Sequence, residues 1–331
     1  MDQENADYKA ARSLSIIICT WNRSDSLDAT LCSLETQKIP ESCKIEILVV
    51  DNNSSDNTRD VIHTHQTKWS SGQLRYLREE RQGKQFALNL AIQHAVGDIL
   101  AFTDDDVFFG KDWIIGIVEC FSNLQIDLVG GKTIPMWPTT GPPAWFQHSM
   151  LAVVAGSDCG DVPLKTLSPD YAPAGTNMIA RSSLFKRIGY FSETHFRHMD
   201  YEFGTRAQRS GALIAYRPEL VVYAPVDPAI INKRYFRRWY FKLGIASSMR
   251  SMDATPRLFG VPRWMLRTIS GDALKSLWER LRFGGDYSFE RETRLFNLLG
   301  YVCSAWYRRV CPSAHAHWMQ QRSQKKGAIF K

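Results

Sequence analysis

Hydrophobic positions along the chain fall into short dense runs, and most of these runs stop at a polar residue. Ser13–Thr20 (SLSIIICT) is apolar, β-branched and eight residues long, which predicts a strand buried on both faces. The following WNRSDSLDATLCSL opens on helix-capping residues and then turns amphipathic. Lys44–Val50 is a second apolar strand that runs into Asp51, and Asn52–Asn57 is loop chemistry leading to another helix. Leu74–Leu77 reads as a short third strand, Lys84–Ala95 as a helix stopped by Gly97, and Asp98–Thr103 as a fourth strand. Alternation of this kind predicts a doubly wound parallel α/β sheet, in which ligands sit beyond the carboxyl ends of the strands. Thr20, Asp51 and Asp104–Asp106 all fall at that edge.

Beyond Asp106 the pattern is less regular. Trp113–Leu124 predicts an apolar helix and Asp127–Ile134 a strand. The Pro- and Trp-rich stretch from Pro135 to Phe146 predicts a long loop of the kind that often serves as a binding loop or lid. Ser182–Gly189 and Tyr201–Ser210 read as helices, and Leu213–Ala224 contains a strand. Lys233–Lys242, Pro262–Arg267, Leu274–Arg282 and Arg294–Arg309 each suit a helix with an apolar face bordered by cations.

Charge divides the chain in two. From residue 230 onward there are 20 Lys/Arg against 6 Asp/Glu, a net of +14, which leaves −7 for the residues before it. A basic, aromatic-rich tail of amphipathic helices predicts contact with an anionic membrane surface, or packing on the preceding part of the chain with a solvated basic face. Nucleic acid is the disfavoured third reading, because no nucleic-acid-binding motif accompanies the charge. The seven cysteines lack metal-ligand spacing and argue for a reducing compartment. The acidic start (MDQENAD) is unlike a signal peptide, and the longest uncharged stretch, Thr133–Ser157, is broken by four prolines. These features predict a cytoplasmic protein, peripheral on the inner face of the cell membrane.

The junction at residues 98–106 (DILAFTDDD) carries the candidate chemistry. Side chains at i and i+2 of an extended segment point to one side, so Asp104 and Asp106 converge. A hard divalent cation, Mg²⁺ or Mn²⁺, suits such carboxylates; a solvated acidic turn is the alternative for the motif in isolation.

Several fragments occur in one order: CTWNR (19–23), VVDNNSSDNT (49–58), GKQFALN (83–89), GDILAFTDDD (97–106), GTNMIAR (175–181) and MDYEFGTR (199–206), followed by Gly211 and YRPE (216–219). Together they resemble family 2 glycosyltransferases of the GT-A fold, over roughly residues 13–245. The resemblance implies a mixed sheet flanked by helices and inverting transfer of a sugar from a nucleotide-sugar, with a UDP-sugar as expected donor and a glycan or lipid-linked acceptor in polysaccharide or glycoconjugate synthesis. It implies that Thr20 and Asp51 hold the base and that Arg23 and Lys84 face the diphosphate. Asp104 would meet the ribose or the metal, Asp105 would support the pocket, and Asp106 would ligate the metal. Gly175, Asn177, Glu202 and Trp145 fall in the implied donor-sugar and acceptor region, where Trp145, with Trp137 and Phe146, forms either a stacking platform or core. Asp200 is the implied base, with an N-cap for the following helix as its structural alternative.

Two departures stand out. Met199 replaces the Glu that often precedes the base, and Ala224 occupies the position where many relatives carry a metal-binding His, with Asp227 the nearest possible substitute. They keep open a second reading, a catalytically inactive nucleotide-sugar-binding or scaffold subunit. The expected organisation is a flexible segment 1–12, a catalytic domain 13–228 and a basic helical region 229–331.

Overall fold

The computed structural model describes residues 13–70, 72–122, 125–164, 171–193, 198–250, 257–258 and 260–324. The segment 1–12 and Leu124, at the predicted end of one helix, lie outside the described residues. The chain forms two compact units: one contains residues up to 135 and 155–225, the other 136–154 and 226–323. The stretch 136–154 therefore groups with the C-terminal helices.

The first unit is built from β1 (Ser13–Thr20), α1 (Ser24–Glu35), β2 (Lys44–Asp51), α2 (Thr58–Lys68), β3 (Gln73–Arg78), α3 (Lys84–His94), β4 (Ile99–Thr103), β5 (Phe108–Phe109), α4 (Trp113–Ser122), β6 (Leu128–Met136), β7 (Asn177–Arg181), α5 (Ser182–Ile188), α6 (Met199–Arg209) and β8 (Ile214–Pro225). Its eight strands lie in the order β3-β2-β1-β4-β7-β6-β8-β5. The pairs β1–β2, β1–β4 and β2–β3 are parallel, as the sequence predicts. The sheet is mixed, as the resemblance implies, where the strand–helix alternation alone predicts a parallel one: β7 pairs antiparallel to β4 and to β6, and β5 antiparallel to β8. The sheet is mixed because β7 enters beside β4 from the opposite direction instead of through a right-handed crossover. Strand β6 also extends past Pro135 to Met136, two residues into the predicted loop.

Period-2 alternation explains the two cores. In β1, Leu14, Ile16 and Ile18 face one cluster with Leu27 and Leu31 of α1, Ile62 of α2 and Trp113 of α4. Ile17 and Cys19 face the other, with Ala87 and Leu88 of α3, Phe185 of α5 and Phe203 of α6. Strand β1 is covered on both faces, which is why its sequence is a continuous apolar run and not an alternating one. Asp56 links the helices on the first face: its Oδ2 accepts from the Ser24 N–H at 3.1 Å and its Oδ1 from the Thr58 N–H at 3.1 Å, capping α1 and α2 together.

The second unit contains the 3₁₀ turns His148–Val154 and Pro228–Ile230, α7 (Lys233–Arg250), a two-residue hairpin β9 (Arg257–Leu258) and β10 (Val261–Pro262), α8 (Arg263–Phe283), α9 (Phe289–Val310) and α10 (Pro312–Gln324). From Arg263 onward the separately predicted segments at 262–267 and 274–282 are one continuous helix, α8, and Pro262 ends β10. Helices α7 and α9 pack so closely that a methyl group at Gly244 would overlap the Asn297 carbonyl oxygen, and one at Gly300 the Phe241 carbonyl oxygen. Several of the acidic residues of this unit are paired with its arginines, which leaves the surplus of positive charge in place. Arg237 pairs with Glu292 at 2.9 Å, Arg291 with Glu279 at 2.7 Å and Arg294 with Asp272 at 2.6 Å. Among the described residues no helix is long and apolar enough to cross a membrane.

Candidate active site

Strands β1, β2 and β4 end side by side, and this register assembles the site: Thr20 lies opposite Asp51, and Ile18 opposite Thr103, one residue before the acidic triplet. Asp51 is buried. Its Oδ1 accepts from the Ser54 N–H at 2.8 Å and its Oδ2 from the Tyr76 hydroxyl at 3.0 Å.

Two cations hold the triplet. Arg23, in the loop after β1, donates from one nitrogen to Asp105 Oδ1 at 3.1 Å and Asp106 Oδ2 at 2.5 Å. Lys84, the first residue of α3, donates to Asp104 Oδ1, and the Thr176 hydroxyl donates to Asp104 Oδ2 at 2.6 Å. Burial alone would raise the Asp104 carboxyl, but the charge and hydrogen bond of Lys84 outweigh it and hold Asp104 below the ordinary carboxylate range. Asp105 has less help. Burial pushes it up to about 6, the charges of Asp106 and Asp104 add to the push, and Arg23 and the Thr20 hydroxyl only partly oppose it. Asp106 is also raised, first by burial and then by the charge of Asp104. The triplet thus holds more negative charge than its two protein cations offset, which is the electrostatic condition for binding another cation.

The donor set fits a hard divalent ion. Both Asp104 oxygens already accept hydrogen bonds, whereas the Asp106 side chain is 41% exposed and only its Oδ2 is engaged by Arg23. Asp106 is therefore the carboxylate best placed to ligate. Ala224 is buried in the first core, and Asp227 caps the 3₁₀ turn at 228–230 by accepting from the Ala229 N–H at 2.8 Å.

Asp200 stands in the first turn of α6. The predicted N-cap role is corrected: the helix begins at Met199, and His198, in the left-handed conformation with φ 54°, precedes it. The Asp200 carboxylate accepts from the Gly175 N–H at 2.9 Å and the Tyr201 N–H at 2.9 Å. Asp200, Gly175 and Lys84 line one cavity of about 150 Å³ with Met199, Phe102 and Phe191. Lys84 therefore reaches the triplet at one end and the cavity of Asp200 at the other. A larger cavity, of about 850 Å³, lies in the second unit and includes none of these residues.

Three predicted site residues have other duties. Asn177 is fully buried; its amide accepts from Trp113 Nε1 at 3.0 Å and donates to the carbonyls of Lys132 and Leu220, so it ties strands together and faces no sugar. Glu202 pairs with Arg206 one turn on, at 3.0 Å. Trp145 belongs to the second unit, where it packs edge-on against Phe236 and Phe289 with centroids 4.9 Å away; of its two readings, the structure supplies the core.

Two positions escaped the sequence reading. Thr176 positions Asp104. Asn52, buried just after Asp51, donates to the carbonyls of Glu79 at 3.2 Å and Arg81 at 2.7 Å and accepts from the Gly83 N–H at 2.7 Å. It fixes the loop that presents Lys84. The run of loop residues Asn52–Asn57 concealed it, since its partners lie about thirty residues away in sequence.

Comparison with known proteins agrees with this geometry. The family model of glycosyl transferase family 2 matches residues 15–151. The chain is 26% identical over 255 residues to the glycosyltransferase AglE of Haloferax volcanii, covering 76% of this chain and 80% of that protein. It is 27% identical over 233 residues to the succinoglycan biosynthesis protein ExoM of Rhizobium meliloti, covering 68% and 72%. Among solved structures, the mannosyltransferase PcManGT of Pyrobaculum calidifontis, in complex with GDP-Man and Mn²⁺, superposes with a TM-score of 0.55 at 16% identity, covering 96% of this chain and 85% of that one. Residues 1–349 of S. aureus TarS in complex with UDP superpose with a TM-score of 0.53 at 20% identity, covering 90% and 91%. These neighbours share the GT-A fold. The match to the glycosyl transferase family 2 model lies on the same strands that bring Asp51 and the acidic triplet to one edge, and the chain is a glycosyltransferase.

Proposed function

We propose that the protein transfers a sugar from a nucleoside-diphosphate donor, a UDP-sugar, to the hydroxyl of a glycan or lipid-linked acceptor, with inversion at the anomeric carbon. The observation that carries this reading is the shared position of Lys84, bonded to Asp104 and lining the cavity of Asp200. Asp51 and Thr20 bind the base, Arg23 and Lys84 exchange carboxylate partners for phosphate oxygens, and Asp104 and Asp105 support the ribose side. Asp106 would hold a divalent cation, Mn²⁺ or Mg²⁺, which when bound offsets the charge of the departing diphosphate. Asp200 accepts the acceptor proton; its two backbone donors fix the carboxylate so that a remaining lone pair faces the cavity. Complexes of relatives' folds with GDP-Man, UDP and UDP-GlcNAc support a nucleotide-sugar donor.

The test is release of nucleoside diphosphate from a panel of UDP- and GDP-sugars with Mn²⁺ and glycan acceptors. Asp200→Asn should lower kcat by about 10²–10⁴-fold while leaving donor binding within a few-fold. Full activity in that variant would remove Asp200 as base. Donor binding without turnover in the wild-type protein, across acceptors, would favour the inactive-subunit reading.

The second unit supports attachment to an anionic membrane surface. On α8, Leu274, Leu277, Trp278 and Leu281 are all more than half exposed and recur at i, i+3, i+4 and i+7, one apolar stripe. Lys275 and Arg282 border one side and Arg280 the other. Such a stripe seats in the headgroup region with cations toward lipid phosphates. Sedimentation with vesicles containing phosphatidylglycerol should fall sharply in a Leu277→Ser/Leu281→Ser variant; unchanged sedimentation would discard this attachment.

A further inference from the structure

A second cluster of chemistry-bearing side chains lies on the outer face of α1 and α2, within the first unit. Asp28, Cys32 and Glu35 occupy positions i, i+4 and i+7 of α1 and so share one face. His65 of α2 enters among them with its side chain 3% exposed. The ligand atoms of Asp28, Cys32 and His65 all lie within 4.8 Å of one another. His65 Nδ1 stands 2.7 Å from Glu35 Oε1, and Nε2 stands 2.9 Å from Asp28 Oδ1.

That arrangement poses a hydrogen-bonding problem. Carboxylates accept and do not donate, whereas a neutral imidazole donates from one nitrogen only. One of the two contacts is satisfied by an N–H; the other needs a second positive charge, a proton or a metal ion. The exposed Cys32 thiol, one helical turn after Asp28 and with its sulfur in the same cluster of ligand atoms, supplies the third donor that a metal ion uses and a proton does not. We propose that Asp28, Cys32 and His65 form a binding site for a borderline-soft divalent transition-metal ion of the zinc type, with Glu35 orienting His65.

The chemistry is consistent at each atom. Glu35 accepts a hydrogen bond from the Nδ1–H, so that Nε2 presents its lone pair to the ion, the usual support for a metal-bound histidine. Asp28 and the Cys32 thiolate supply two negative charges against two positive ones, and the thiol proton leaves to solvent on binding. Zinc bonds of about 2.0–2.3 Å set tetrahedral ligands roughly 3.5 Å apart; the Asp28–His65 pair, now at 2.9 Å, would open slightly around the ion, an adjustment that the exposed Asp28 and Cys32 side chains can make by rotation. Water completes the fourth position. The acidic triplet has only oxygen donors, so the two sites differ in the ions that they prefer.

The ion would act as a brace. Helices α1 and α2 begin at the loops that carry Arg23 and residues 52–57, and those loops are already joined through Asn22 and Asp56. Fixing the helices farther along would stiffen the nucleotide edge from behind.

The experiment is titration of the full chain, stripped with chelator, with Co²⁺ as an absorbing probe and then Zn²⁺. One equivalent of Co²⁺ should give a near-ultraviolet thiolate-to-metal charge-transfer band, which an all-oxygen site cannot produce, and Zn²⁺ should displace it and raise the melting temperature. Cys32→Ser, at an exposed position that leaves the core intact, should abolish the band. Glu35→Gln should weaken zinc affinity about 10–100-fold with the band retained at saturation. Absence of the band, or its persistence in Cys32→Ser, would overturn the proposal and leave His65 as a residue that ties α1 to α2 through Glu35 and Asp28 without a metal.

Discussion

Replacing Asn52 by Ala tests whether one buried amide organises the sheet edge that carries Lys84 and the acidic triplet. The side chain makes three hydrogen bonds to the main chain of the segment 79–83, and removing it strands the Gly83 N–H and the carbonyls of Glu79 and Arg81. An unsatisfied buried polar group costs about 1–3 kcal/mol. Water can reach the Arg81 carbonyl, beside the exposed Arg81 side chain, so two full penalties are expected, roughly 2–6 kcal/mol. For a unit of this size that lowers the melting temperature by roughly 5–15 °C. The loss extends to function, because Gly83 immediately precedes Lys84; its φ of 144° suits glycine, and a Cβ there would meet the Gln85 side chain at 2.8 Å. Freed from Asn52, Lys84 spends less time against Asp104, and the KM for donor should rise more than kcat falls. Asn52→Asp provides the sharper comparison. It keeps an acceptor for the Gly83 N–H but sets a carboxylate against two carbonyl oxygens, so it should be at least as unstable as Asn52→Ala. Thermal denaturation and donor saturation kinetics would measure both effects. A stable Asn52→Asp variant with unchanged KM would refute the reasoning.

Three further outcomes follow from other parts of the molecule. Asp56 is held below the ordinary carboxylate range: burial pushes it up slightly, and hydrogen bonds from Thr58 and Ser24 more than reverse this. Its contribution is therefore present above the ordinary carboxylate pKa of about 4 and lost as pH falls below it; Asp56→Asn should flatten the acid limb of the stability profile, and an unchanged limb would contradict the double-cap role. Gly300→Ala should destabilise by about 3 kcal/mol through overlap with the Phe241 carbonyl, whereas Gly271→Ala, in open space on α8, should be neutral or gain up to about 1 kcal/mol in urea titrations. Burial pushes the Cys19 thiol up to about 12, so its thiolate fraction at pH 8 is about 10⁻⁴. Iodoacetamide should label Cys32, Cys159, Cys303 and Cys311 and spare Cys19, Cys43 and Cys120 by mass spectrometry of the folded protein; rapid labelling of Cys19 would show that the β1 edge opens.

Legibility in the sequence followed the range of the interactions. Strands β1, β2 and β4 were legible because burial on both faces demands unbroken apolar runs, and their ends marked Thr20, Asp51 and Asp104–Asp106 as neighbours. Strand β7 was not, because its antiparallel entry beside β4 depends on pairing between residues far apart, such as Thr103 with Asn177. Asn177 was assigned to the sugar region on resemblance, yet its burial under Trp113 is settled by tertiary packing. Asn52 and Thr176 carry no local signature, since an Asn in a polar loop and a Thr after a Gly look alike whether they fix the loop before Lys84 and the Asp104 carboxylate or face water. Trp145 could be core or platform until the aromatic contacts of the helical unit were known.

The crossing of α7 and α9 at Gly244 and Gly300 has a consequence for reading other chains. Contact there is backbone against backbone, so the spacing of the two helices is set by what is missing from the side chains. The exposed stripe of α8 can change residue by residue at little cost to the fold, but a relative with side chains at both aligned positions must separate the axes. Those two positions therefore act as a diagnostic: a pair of glycines 56 residues apart marks a protein with this helix crossing, and their replacement marks one whose C-terminal helices are arranged otherwise.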